Sequence, residues 1–117
     1  MYQGLNRLGR LRRRPEFLKV QRQGVKTKGR YLTSFSLPNG LGMTRLGVVA
    51  TRKHGGAVQR NRAKRLMREL FRLNRGSVGF DVVALLRPGF SEKPYKWLEK
   101  DYQVALERQN HSYRYKM

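Results

Sequence analysis

Residues 57–74 constrain this chain more than any other stretch. Placed on a helical wheel at about 100° per residue, Ala63, Leu66, Met67, Leu70 and Leu73 fall on one side, with Phe71 beside them. Asn61, Arg65, Arg68 and Arg72 fall opposite, flanked by Arg62 and Lys64, with Arg60 in the first turns. The apolar side has to be covered by a second layer of structure. The basic side works against its own helix. Only Glu69 offsets six basic residues here, and like charges three or four residues apart cost about 0.2–0.5 kcal/mol per pair. A solvated surface helix ordinarily mixes signs to avoid that cost. An anionic partner accounts for the face better than solvent does.

Charge across the whole chain points the same way. Its 117 residues carry 27 Lys and Arg against 7 Asp and Glu, a net charge of +20. A folded domain this basic repels itself unless a polyanion screens it. Arg outnumbers Lys, and the guanidinium fork suits phosphate oxygens and stacks on bases. RNA binding is the reading that follows. The length suits a single domain over 1–117. There is no cysteine, so disulfides and thiolate metal ligands are excluded, and a reducing cytoplasm is the expected compartment. The longest apolar run, Val82 to Leu86, is far too short to span a membrane.

The remaining elements can be read from periodicity and breakers. Residues 1–12 look like a flexible basic arm, and a first helix starts near Pro15 and stops at Gly24. Tyr31, Thr33, Phe35 and Leu37 alternate with smaller residues as a strand does, until Pro38-Asn39-Gly40 breaks it. A second strand runs from Arg45 to Thr51. Gly55-Gly56 opens the long helix, either as a plain loop or as a place where a phosphate approaches the backbone and the helix N-terminus. A third, buried strand covers Phe80 to Leu86, and a last helix Tyr95 to Arg108. The tail 110–117 should fray. The order is helix, strand, strand, helix, strand, helix, which predicts an α/β (α+β) sandwich with one mixed sheet and helices packed on it.

The stretch from Arg52-Lys53-His54-Gly55-Gly56-Ala57-Val58 through Arg60-Asn61-Arg62, Lys64-Arg65 and Arg68-Glu69 resembles the signature of the bacterial ribonuclease P protein component family. Arg10-Leu11-Arg12 with Glu16-Phe17, Arg45-Leu46-Gly47-Val48 and Phe80-Asp81-Val82-Val83 are similar to that family's N-terminal segment, second and third strands. The resemblance implies a left-handed β-α-β crossover, against the usual hand. It implies a protein that joins a catalytic ribonuclease P RNA to remove the 5′ leader of precursor tRNA. The RNA and its magnesium ions do the hydrolysis, and no obligate protein partner is implied. By position, Arg52, Lys53, Arg60, Asn61, Arg62, Lys64, Arg65 and Arg68 would face the catalytic RNA. Phe17 and Phe35 would line a leader cleft, although core packing explains the two rings equally well. Gln21 stands where the family often has a second aromatic.

No catalytic or metal site is legible. His54 and His111 lie in different segments, and Glu99 and Asp101 would point to different sides of a helix. Asp81 at the start of a strand suits a local hydrogen bond, and none of these makes an acid–base pair. A ribosomal-type structural RNA-binding protein shares the charge without the motif. A DNA-reading module would need a short turn and partner helix before the basic helix, and neither is visible.

Overall fold

A four-stranded mixed sheet in the order β1-β2-β4-β3 organises the computed structural model, which describes residues 9–74 and 79–114. In chain order come α1 (Arg14–Gln23), β1 (Val25–Lys28), β2 (Leu32–Pro38), β3 (Arg45–Val49), α2 (Ala57–Leu73), β4 (Phe80–Leu86) and α3 (Tyr95–Arg114), with single 3-10 turns at Arg52–His54 and Phe90–Glu92. β1 and β2 are antiparallel, as are β2 and β4, while β3 runs parallel to β4. The parallel pair has to be joined by a crossover, and α2 is that crossover.

Period-two alternation splits each strand between two cores. Leu32, Leu46, Val82, Ala84 and Leu86 face one side, where they meet Ala63, Met67, Leu70 and Phe71 of α2 and Leu98 and Tyr102 of α3. Phe35 and Val83 face the other side, where they meet Leu11 and Val20, with Phe17, Leu37, Val49 and Leu85 packed against them. Coverage on both faces explains why β4 reads as a continuous apolar run rather than an alternating one.

Several expectations need correction. β1 was not expected at all. Its sequence, Val-Lys-Thr-Lys, is short and half-charged, and lysines suit an exposed edge strand. Thr51 lies beyond β3, which ends at Val49, and the first predicted strand starts at Leu32 rather than Tyr31. Leu73 is 56% exposed; it sits about 80° from the centre of the apolar stripe, at its rim. The tail does not fray at residue 110, because α3 continues to Arg114. Tyr113 anchors it, donating to the Ser36 carbonyl at 2.5 Å and accepting from the Val25 N–H at 3.3 Å. Nor is the arm flexible throughout. Leu11 is buried, and its N–H donates to the Leu46 carbonyl at 3.0 Å. Residues 1–8 and 115–117 of the expected arm and tail lie outside the described residues.

Candidate nucleic-acid interface

The start of α2 is built by the glycine pair. Gly55 has φ of 109°, a conformation open to glycine and strained for other residues. It turns the chain out of the Arg52–His54 turn, and Gly56 becomes the N-cap without a capping side chain. Arg52 and Lys53 are exposed on that turn. His54 is its anchor, with Nε2 2.9 Å from the Leu86 carbonyl. A carbonyl only accepts, so Nε2 donates, and the ring holds the turn against the end of β4.

Along α2, Asn61, Arg65 and Arg68 lie on the face turned from the sheet, Arg62 and Lys64 stand at its two edges, and Arg60 sits in the first turn on the core side. Asn61, Arg62 and Arg65 are exposed, while Arg60, Lys64 and Arg68 are half-buried. Arg72, on the same side, instead pairs with Glu69, which neutralises the one acid of the helix. Arg68 carries the clearest electrostatic signature. Burial depresses its guanidinium pKa first, and the charges of Arg10 and Arg65 depress it further. Arg10 stands in the sequence only as part of the N-terminal resemblance and not as a binding residue, yet its Nε is buried without a hydrogen-bond partner. It pairs through its backbone with Leu46 on β3. Three guanidinium groups thus gather where folding alone would disperse them. The alternation Arg10-Leu11-Arg12, with Leu11 pinned in the core, is the sequence signal that could have placed Arg10 there.

The two predicted aromatics meet on the opposite face of the sheet, in the cluster under α1. Phe17 lies over Gly47 so closely that a Cβ added there would sit 2.5 Å from its ring. Only glycine lets the helix bring this half-buried ring down onto β3. Phe35 is 8% exposed, and the Lys26 ammonium lies 5.8 Å from its ring centroid. Its ring is packed into the cluster and leaves little free stacking surface. Lys26, from the strand the sequence hid, sets a cation over that ring.

An ion network fixes where α1 begins. Glu16 accepts from the Arg13 N–H at 3.0 Å and the Arg12 N–H at 3.2 Å, which caps the helix. Its second oxygen accepts from Arg45 at 3.4 Å. The Arg13 N–H is the main cause holding the Glu16 carboxyl below its ordinary value. Arg45 in turn donates through Nε and Nη2 to Asp81 at 2.8 and 2.7 Å, and Asp81 raises the Arg45 pKa. Asn39 donates to the same carboxylate at 2.8 Å.

The other acids examined for chemistry are similarly engaged. Asp101 accepts from the N–H groups of Arg30, Tyr31 and Leu32, and Glu99 accepts from the Asn74 amide at 3.2 Å. Among the described residues no three His, Asp or Glu side chains come together to hold a metal ion. What the arrangement offers is a basic helix face on one layer of the sheet and, on the other, an aromatic cluster in which Phe17 stays partly open.

Known proteins share both the sequence and the fold. The family model described as "Ribonuclease P" matches residues 5–110. A ribonuclease P protein component from Thermotoga maritima is 40% identical over 95 residues, which is 80% of this chain and 81% of that one. A solved structure of the T. maritima protein superposes with a TM-score of 0.76 at 34% identity, covering 85% of this chain and 96% of the other. The Staphylococcus aureus ribonuclease P protein, at 22% identity, shares the fold with a TM-score of 0.74 over 85% of this chain and 93% of its own. This chain therefore belongs to the ribonuclease P protein component family, whose work is bacterial tRNA 5′-end processing.

Proposed function

We propose that this chain binds the catalytic RNA of ribonuclease P through the outer face of α2 and the 5′ leader of precursor tRNA through the cleft under α1, and that the RNA does the chemistry. The gathering of Arg10, Arg65 and Arg68 carries the first half of this reading. A phosphate placed among them would relieve the repulsion and give Arg10 Nε an acceptor. Arg52 and Lys53 would extend the contact to the α2 N-terminus, where the helix dipole adds to it. Asn61, Arg62 and Lys64 supply the rest of the face, and Arg60 adds its charge at the first turn. The protein's part is to position and to neutralise. We leave magnesium with the RNA, since Glu16, Glu69, Asp81, Glu99 and Asp101 are engaged within the scaffold, and the protein alone is inactive in this reading. No membrane enters it: among the described residues no helix is long and apolar enough to cross one. Its place is the cytoplasm, with precursor tRNA.

The leader half rests on Phe17, whose half-exposed ring lies over Gly47 in the cluster that also holds Phe35. A base stacked on such a ring contributes about 1–3 kcal/mol. Phe17→Ala in the assembled ribonucleoprotein should therefore weaken binding of a precursor tRNA with a leader by about 5- to 150-fold. Mature tRNA should bind as before. Equal losses on both substrates would assign Phe17 to packing alone.

A further inference from the structure

We propose that Tyr31 and Trp97 form a second base-stacking site, which takes an unpaired nucleotide of the catalytic RNA. This rests on the RNA-binding reading above and adds a surface that it does not use. Trp97, Lys100, Asp101 and Val104 follow one another at helical spacing along α3. They lie beside, and not within, the stripe of Leu98, Tyr102 and Ala105 that enters the core. Trp97 is 54% and Val104 41% exposed. Trp97 and Val104 thus stay open to solvent on either side of Lys100 and Asp101, and the exposed indole is a large apolar face available to an occupant.

The site is built rather than incidental. The Tyr31 and Trp97 rings lie 6.3 Å apart, nearly parallel at 14°. Tyr31 is held in place from below. The Asp101 carboxylate accepts from the N–H groups of Arg30 and Tyr31 at 3.0 Å and of Leu32 at 3.2 Å. That locks the entry to β2, and it spends the acid's acceptor capacity inside the protein. The open rim belongs to Arg30 and Lys100, both exposed. Together with Val104 these residues line a cavity of about 420 Å³, in the range of small-molecule sites.

Aromatic face, cationic rim and engaged acid describe a nucleotide site. The rings take a base of any sequence, and Arg30 and Lys100 take the adjoining phosphates. An acidic rim would have suited a basic peptide, and an apolar rim a second copy of the chain. The catalytic RNA is the source we assign because of the layer. α3 packs on the same side of the sheet as α2, while the proposed leader cleft lies on the other side under α1.

Trp97 is the single tryptophan of the chain, so its emission reports on the site alone. The experiment titrates the full protein with the ribonuclease P RNA of the same bacterium, following emission and, in parallel, filter retention. Quenching should saturate with retention, because a stacked base quenches indole fluorescence. Trp97→Leu should bind this RNA about 5- to 150-fold more weakly, and Trp97→Phe should restore most of the loss. Lys100→Ala should lower the log–log salt slope by about 0.7–0.9. Circular dichroism of each variant should match the parent, since these side chains are exposed. Unchanged emission while retention saturates, or full affinity in Trp97→Leu, overturns the proposal. Quenching by precursor tRNA and not by the catalytic RNA overturns the assigned source. Emission that changes with protein concentration alone, matched by sedimentation, gives the platform to a second copy and overturns it too. Absence of retention overturns the underlying RNA-binding reading, an outcome the filter arm separates from the others.

Discussion

Replacing Arg65 and Arg68 together with Ala should weaken binding to the catalytic RNA by about 100- to 10,000-fold while leaving the fold at least as stable. Two charge-assisted hydrogen bonds to phosphate contribute roughly 1.5–3 kcal/mol each, and 1.4 kcal/mol is about tenfold in affinity. The log–log slope of affinity against salt should fall by about 1.4–1.8, since each phosphate contact contributes about 0.7–0.9. The stability half distinguishes this from ordinary damage. Arg65 is exposed, and Arg68 is half-buried, its pKa depressed first by that burial and then by the charges of Arg10 and Arg65. Truncating both relieves repulsion between Arg10, Arg65 and Arg68, so thermal unfolding should shift slightly upward or not at all. A fall in melting temperature would show that the aliphatic stem of Arg68 packs more than its charge repels. An unchanged salt slope would remove this pair from the RNA interface.

Asp81→Asn should destabilise the protein nearly as much as Asp81→Ala, although Asn has almost the same shape. The Asp81 side chain is 11% exposed and receives Arg45 Nε, Arg45 Nη2 and Asn39 Nδ2. An amide there loses the charge and turns one acceptor into a donor facing donors. Breaking a buried pair costs 3–5 kcal/mol, and the partial exposure of Arg45 lowers that to about 3 kcal/mol. A drop in melting temperature on the order of 10 °C follows for a domain of this size. Unfolding of Asp81→Asn at the parent's temperature would show the network to be solvated and weak. Glu16 adds a pH dependence to the same network. Its folded pKa lies below its ordinary 4.5, so its contribution is complete above that value and is lost as pH falls through the folded one. Glu16→Gln should remove this part of the acid limb of the stability curve.

The long helix and β4 were legible because each is governed by one strong local signal. In α2, Ala63, Met67, Leu70 and Phe71 all reached the core, Leu66 packs partly buried against it, and the rim position Leu73 stays exposed. In β4 the run Val82 to Leu86 carried a strand buried on both faces. β1 was missed because an edge strand held by Ser36, Phe35, Ser34 and Thr33 of its neighbour needs no apolar pattern of its own. The end of α3 was missed for a related reason. Gln109 and Tyr113 dock through polar contacts to Ser36, and hydropathy reads such residues as a tail. The motif residues of α2 were visible from their spacing. Arg10 was not, since its place depends on a backbone pairing with Leu46 that lies 36 residues away. Trp97 read as one residue of a helix, because its partner Tyr31 comes from another element.

The most direct test of the account is cleavage of a precursor tRNA at low magnesium by the ribonuclease P RNA of the same bacterium, with this protein, without it, and with the protein alone. The account predicts strong stimulation by the protein and no cleavage by the protein alone. Absence of stimulation, with binding to other structured RNAs retained, would contradict it and make the chain a structural RNA-binding protein. Cleavage by the protein alone would contradict it from the other side and place chemistry in residues assigned here to the scaffold.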